Sequence, residues 1–287
     1  MPHASRKKNQ GPKKRLQITD DSGWTHVTKG TAKQKRQQTS TNWSYLHKGL
    51  RPTEIPRGLS LQEVVESFSR YTKTWRESLC LKNLETLLKD QVLVSDIRVT
   101  NCVCLGLGSL TGGYDTENSF YELAALVSIL EILGQHVTGH FLSDLESSLK
   151  DTAQKSNEIK QVYMQDPVFN SLDEAFLRSL GYTIVPTPEG FEKIDETTFL
   201  FAPHLEWPIY LMALQKEPYS LCIGNDTRGF CDSRDGSIAA EAKAVYQNLS
   251  ERCFERAMPD FHRNLWCLST IIYWMRPRLE SVRIETP

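Results

Sequence analysis

The chain has 287 residues, 39% of them hydrophobic, with 34 Lys and Arg set against 35 Asp and Glu. No apolar stretch backs the charges of the first residues and the longest strongly apolar run, Leu123 to Leu130, is far too short for a bilayer, so neither a secretory signal nor a membrane span is expected. Seven cysteines, an odd number without Cys-x-x-Cys spacing, fit buried thiols of a reducing compartment.

The near-neutral total hides an asymmetry. The first 51 residues hold 12 basic and 2 acidic side chains, which leaves 22 basic and 33 acidic for the remainder. Aliphatic residues are almost absent before Leu46, so residues 1–58 are expected to form a disordered basic tail that cannot bury enough surface to offset its ordering entropy. Its two clusters, Arg6-Lys7-Lys8 and Lys13-Lys14-Arg15, suit the nuclear import machinery or loose, non-specific nucleic-acid contact. They lack the interleaved aromatics of a single-strand binder. Residues 59–287 are expected to form one α/β domain, about 230 residues being enough for a sizeable core.

That domain divides into a helical extension (60–95), a sheet core (97–230) and C-terminal helices (239–276). Ser60-Leu61-Gln62-Glu63 opens the first helix with a capping box, and Leu61, Val64, Val65, Phe68, Tyr71 and Trp75 follow at helical spacing. Leu79 to Val94 repeats the pattern. Apolar runs at 102–105, 161–165, 198–201 and 220–223, with a short one at 182–185, then read as strands buried on both faces, the mark of a mostly parallel sheet between helices. Ser119 to Glu122 and Ser171 to Glu174 look like further capping boxes, and Gly134 and Gly181 like helix stops. Residues 135–160 form a polar excursion. Trp207 to Gln215 and Ala239 to Arg256 are predicted helices, and Leu265 to Met275 is expected as a buried one. The fold class is therefore a Rossmann-like α/β protein with a mostly parallel five-stranded sheet flanked by helices.

In such sheets ligands bind at the carboxyl ends of the strands, which selects eight candidates. Gly106, Gly108 and Ser109 follow the first strand as a possible phosphate-cradling turn, or as a strand exit that needs positive φ. Thr111 stands where a dinucleotide fingerprint requires glycine. Asp166 is placed to meet a ribose hydroxyl, or to cap the next element. His204 can serve as acid, base or donor. Gly224, Asn225 and Asp226 close the next strand, either at the same cleft or as turn formers. His136 and His140 have the spacing of zinc helices, but the zincin glutamate is missing and Gly139 disfavours the helix, so no metal site is expected. No catalytic constellation is complete, and no cofactor is named by these motifs.

Leu105-Gly106-Leu107-Gly108-Ser109, the leucine-rich Glu122 to Leu133, Asp166-Pro167-Val168-Phe169, Leu180-Gly181-Tyr182, Pro203-His204 and Gly224-Asn225 occur in the order seen in the SRR-like domain family, named for a plant phenotype of reduced sensitivity to red light. The chain resembles that family from about Asn101 to Phe230. Two positions depart from it: Leu205 stands where members usually carry Cys, and Asp226 where they carry Ser. The resemblance implies a regulatory protein of cytoplasm and nucleus with no established reaction, associated with circadian and light input and with haem-linked control. It would bind a small molecule or a protein partner at the rim. The alternative is an S-adenosylmethionine-dependent methyltransferase or another enzyme with a nucleotide cofactor.

Overall fold

The computed structural model describes residues 15–19, 25–29, 49–95, 97–134, 159–216, 219–261 and 270–276. They fall into two compact units, Met1–Asn42 and Trp43–Pro287. In the first, β1 (Arg15–Thr19) and β2 (Thr25–Lys29) pair antiparallel, with Gln17 opposite Val27. No element was expected there.

The second unit begins before residue 59, because single contacts anchor a segment that has no periodicity to read. The Thr53 amide donates to the Val168 carbonyl at 3.0 Å. Helix α1 (Leu61–Arg76) opens on the Ser60–Glu63 capping box, with Glu63 Oε2 accepting from the Ser60 amide at 2.8 Å. After α2 (Leu79–Leu87) the chain continues in a π turn, Leu88–Val92. Next come β3 (Asn101–Leu105) and α3 (Thr116–Leu133), the latter stopped by Gly134 at φ 102°. Then follow β4 (Gln161–Gln165), α4 (Ser171–Ser179), β5 (Thr183–Ile184), β6 (Thr198–Ala202), α5 (Trp207–Leu214) and β7 (Leu221–Asn225). The chain continues through the short α6 (Arg228–Cys231), α7 (Gly236–Arg252), β8 (Cys253–Ala257) and β9 (Thr270–Met275).

The sheet has seven strands in the order β5-β4-β3-β6-β7-β9-β8, not the five expected. The first five are parallel, and β9 runs antiparallel to both of its neighbours. The expected C-terminal helices 239–276 reduce to α7: its C-terminal end at Arg252 leads into β8, and the segment expected as a buried helix supplies β9. Thr270 to Trp274 are buried without a break. A short run buried on both sides has no polar face, so helix and strand share one signature there. The β-branched and aromatic Ile271-Ile272-Tyr273-Trp274 fit the pleated surface better.

Side chains of each central strand alternate between two apolar layers. Cys102, Cys104, Phe199 and Phe201 face the layer built by α1 to α4. Val103, Leu105, Leu200 and Cys222 face α5 and α7. Arg76 clamps Glu131 at 2.7 and 2.9 Å, and the Trp75 indole donates to Ser128 Oγ at 3.1 Å, tying α1 to α3. The order β5-β4-β3-β6-β7 reverses direction between β3 and β6, which places a topological switch point at their carboxyl ends.

Candidate functional site

Gly106, Asp166, His204 and Asn225 each end or follow a parallel strand, so all four stand along one rim. The Gly106 amide donates to the Gln165 carbonyl at 3.1 Å. Asn225 Nδ2 donates to the Leu205 carbonyl at 2.5 Å, joining the ends of β7 and β6. Leu205 in turn lies against the α-carbon of Gly106, whose φ is +74°. A methyl group there would collide with the Leu205 side chain and strain the backbone. Gly106→Ala is expected to cost about 2–4 kcal/mol by overpacking and left-handed strain. Adding Leu205→Ala should relieve the overpacking relative to Leu205→Ala alone, while the strain remains. Urea unfolding of the three variants checks this.

The glycine turn is already occupied by the protein's own oxygens. Asp166 accepts from the Gly108 amide at 2.8 Å and from the Val168 amide at 3.0 Å. Asp173, fully buried on α4, accepts from Ser109 Oγ, the Leu110 amide, Thr111 Oγ1 and the Asn170 amide at 2.7 to 3.0 Å. Ser109 Oγ receives the Gly112 amide at 2.9 Å and the Thr53 hydroxyl at 2.8 Å. Backbone N–H groups in tight glycine turns make anion sites; here two carboxylates and a hydroxyl fill that role. Gly108 and Ser109 thus shape the rim, and Asp166 closes its turn.

Local spacing places Asp173 in a capping box that opens at Ser171. The box is Asn170–Asp173, one residue earlier, and the same carboxylate also reaches across 64 positions to Ser109. Gly224 packs against the Tyr210 ring, so its missing side chain serves helix–strand contact. Asp226 binds Arg228 through Nε and Nη2, both at 2.8 Å, and Arg228 extends to Glu255 Oε1 at 3.5 Å.

The residue the motifs missed is Glu122. Its pattern suggested a capping box with Ser119, but α3 starts earlier, at Thr116 with Asp115 as N-cap. Glu122 therefore lies one turn inside a helix that is buried around most of its circumference. Its Oε1 meets His204 Nδ1 at 2.6 Å, with side-chain exposures of 4% for Glu122 and 31% for His204. Burial pushes the Glu122 carboxyl up to about 7; the hydrogen bond and charge of His204 oppose the rise, while Asp166 and Asp115 add to it. An acidic residue amid Phe120, Tyr121 and Leu123 was the one available signal.

This pair has an evident chemistry. The carboxylate holds one imidazole nitrogen and fixes the ring, and Nε2 has no hydrogen-bond partner among the described residues. Nε2 can accept a proton from a bound group while Glu122 stabilises the imidazolium that forms. Perturbed titrating groups at a sheet rim are functional-site candidates.

Among the described residues no cluster of three or more His, Cys, Asp or Glu side chains is arranged for a metal ion, and no helix is long and apolar enough to cross a membrane. His136, His140 and the rest of the polar excursion through residue 158 lie outside the described residues, as do Arg6-Lys7-Lys8 and Lys13-Lys14.

A family model described as the SRR1 domain matches residues 67–272. No curated protein matches the chain. Among solved structures, cofactor-bound Rv0187 from MTB is similar over 82% of this chain and 95% of its own, at 11% identity and TM-score 0.35. An O-methyltransferase from Bacillus cereus in complex with SAH is similar over 81% and 96%, at 10% identity and TM-score 0.36. Thermoplasma acidophilum 1320 is similar over 66% and 82%, at 12% identity and TM-score 0.28.

Proposed function

The chain belongs to the SRR1 domain family, and from that premise we propose that it is a regulatory protein binding a small ligand or a protein partner at the carboxyl rim of its sheet. The observation that carries this reading is the Glu122–His204 pair, a buried carboxylate holding a half-open imidazole where the strand order reverses. Among the described residues His204 Nε2 has no hydrogen-bond partner, and Asn225 braces Leu205 beside it. Native mass spectrometry of the purified protein is expected to reveal a bound molecule of defined mass, lost in His204→Ala. A His204→Ala protein that keeps the molecule would place it elsewhere.

The proposals that come with the family are circadian and light-input roles, haem-linked control, and residence in cytoplasm and nucleus, with import through Arg6 to Arg15. Deleting residues 1–51 from a fluorescent fusion tests the last: nuclear signal should fall, and an unchanged distribution sets the import role aside.

A second reading is favoured by one observation. Reversed β9 lies between β7 and β8, the arrangement that adenosylmethionine-dependent methyltransferases build onto a Rossmann core. Binding of S-adenosylmethionine or its demethylated product in calorimetry would support it. Since Leu205 covers Gly106, such a ligand has to displace that side chain, and Leu205→Ala should then tighten binding.

A further inference from the structure

We propose that residues 50–57 form a releasable strap held on the rim by Thr53, and that the notch beneath it is a recognition site for an extended peptide segment carrying threonine or serine. The strap is the resident occupant of this notch, and a partner segment of the same chemistry takes its place when it lifts. The contacts are separate from Glu122 and His204, so the notch stands beside that pair and does not rest on it.

The strap is anchored at one point. From Gly49 to Gly58 every residue except Thr53 is exposed, Leu50 and Ile55 at 48% and 41%. Pro52 and Pro56 bias the residues before them toward extended backbone, which keeps the segment out of a helix. Among the described residues, Thr53 is the strap residue whose hydrogen bonds reach the rest of the domain. Its amide donates to the Val168 carbonyl at 3.0 Å. Its hydroxyl donates to Ser109 Oγ at 2.8 Å and receives the Asn170 side-chain amide at 3.0 Å. Ser109 follows β3 and Val168 follows β4, so the strap crosses the rim where those two strands end.

The notch is shaped for a main chain. A β-carbon at Gly112 would lie 2.7 Å from the Glu54 carbonyl oxygen and from the Thr53 side chain, although the Gly112 φ lies outside the left-handed region. The missing side chain there serves the close approach of the strap rather than a turn. Lifting the strap frees the Val168 carbonyl and one N–H of Asn170, whose bond to Thr111 Oγ1 at 2.7 Å remains. It also withdraws the Thr53 hydroxyl from Ser109 Oγ. The freed groups are an acceptor for a backbone amide and a donor–acceptor pair for a hydroxyl, beside a floor without a side chain. They select an extended segment with threonine or serine at one position. Valine there has the same volume and leaves the pair unsatisfied, and sites built around a hydroxyl reject analogues that lack it.

Tethering gives the strap an effective concentration of about 1 mM, so a free peptide competes poorly with it in the parent chain. Thr53→Val in the full chain releases the strap and leaves the notch intact. Hydrogen exchange at the residue-53 amide is expected to quicken about tenfold in Thr53→Val, with the sheet amides unchanged, and to stay near the parent rate in Thr53→Ser. A fluorescein-labelled peptide of residues 49–58 should bind Thr53→Val with a Kd of about 0.1 mM by anisotropy, and the parent about tenfold more weakly. The same peptide with valine in place of threonine should not bind. Adding Gly112→Ala to Thr53→Val should abolish peptide binding, because the new methyl fills the crossing point. An unchanged exchange rate at residue 53 in Thr53→Val overturns the strap, as does loss of protection throughout the sheet. A peptide that fails to bind Thr53→Val, or binds equally well with Gly112→Ala added, overturns the notch.

Discussion

Asp173→Ala is expected to lower the folding free energy by about 3–5 kcal/mol. The carboxylate is fully buried and receives two backbone amides and two hydroxyls from two segments, the turn 109–111 and Asn170. Each buried donor left without a partner costs ~1–3 kcal/mol, and the two hydroxyls can rotate toward other acceptors, which keeps the sum below the arithmetic maximum. The loss should reach function as well. The same side chain holds the turn from Ser109 to Thr111 that leads into α3, and α3 carries Glu122. Asp173→Asn keeps the volume but turns one acceptor into a donor, so an intermediate loss is expected. Urea unfolding gives the numbers. A loss below ~1 kcal/mol in Asp173→Ala would mean that water satisfies these groups and that the network does not hold the rim.

Glu122→Gln is expected to act in the opposite direction at neutral and alkaline pH. The parent carboxyl titrates at about 7 in the fold against 4.5 for the free group. Between those values the folded protein keeps a proton that the unfolded chain has released. The contribution to stability is therefore fully present below about pH 4.5 and declines as pH rises to about 7. At ~1.4 kcal/mol per pH unit the decline amounts to roughly 3 kcal/mol. Glutamine is neutral, keeps a hydrogen bond to His204, and lacks this dependence. The variant should match the parent near pH 4 and exceed it by up to ~3 kcal/mol at pH 8, with binding at the rim weakened. A residue that lowers stability at working pH while sharpening a site is a familiar trade. Equal pH profiles for the two proteins would show that His204 fully compensates the buried charge.

The four central strands were legible almost to the residue. Cys102 to Leu105 became Asn101–Leu105, and Gln161–Gln165 matched throughout. A strand buried on both faces writes its apolarity continuously along the chain, and nothing outside the strand is needed to see it. Helix ends were less secure. Glu122 and Asp173 both carried the local spacing of a capping box, yet one is held by a histidine 82 positions away and the other anchors a turn 64 positions away. The segment through Met275 shows the same limit in another form, since continuous burial erases the difference between helical and strand periodicity.

What the amino-acid order determined by itself is the layered α/β architecture and the rim at which strands end, because apolar runs and their glycine, proline and aspartate punctuation are properties of neighbours in the chain. Only the tertiary structure decided that the glycine turn is filled from within, that β9 enters the sheet reversed, and that Glu122 meets His204. Local spacing offers Glu122 and Asp173 the same capping role, and the partner each one meets depends on which distant segments the closing layers bring against it.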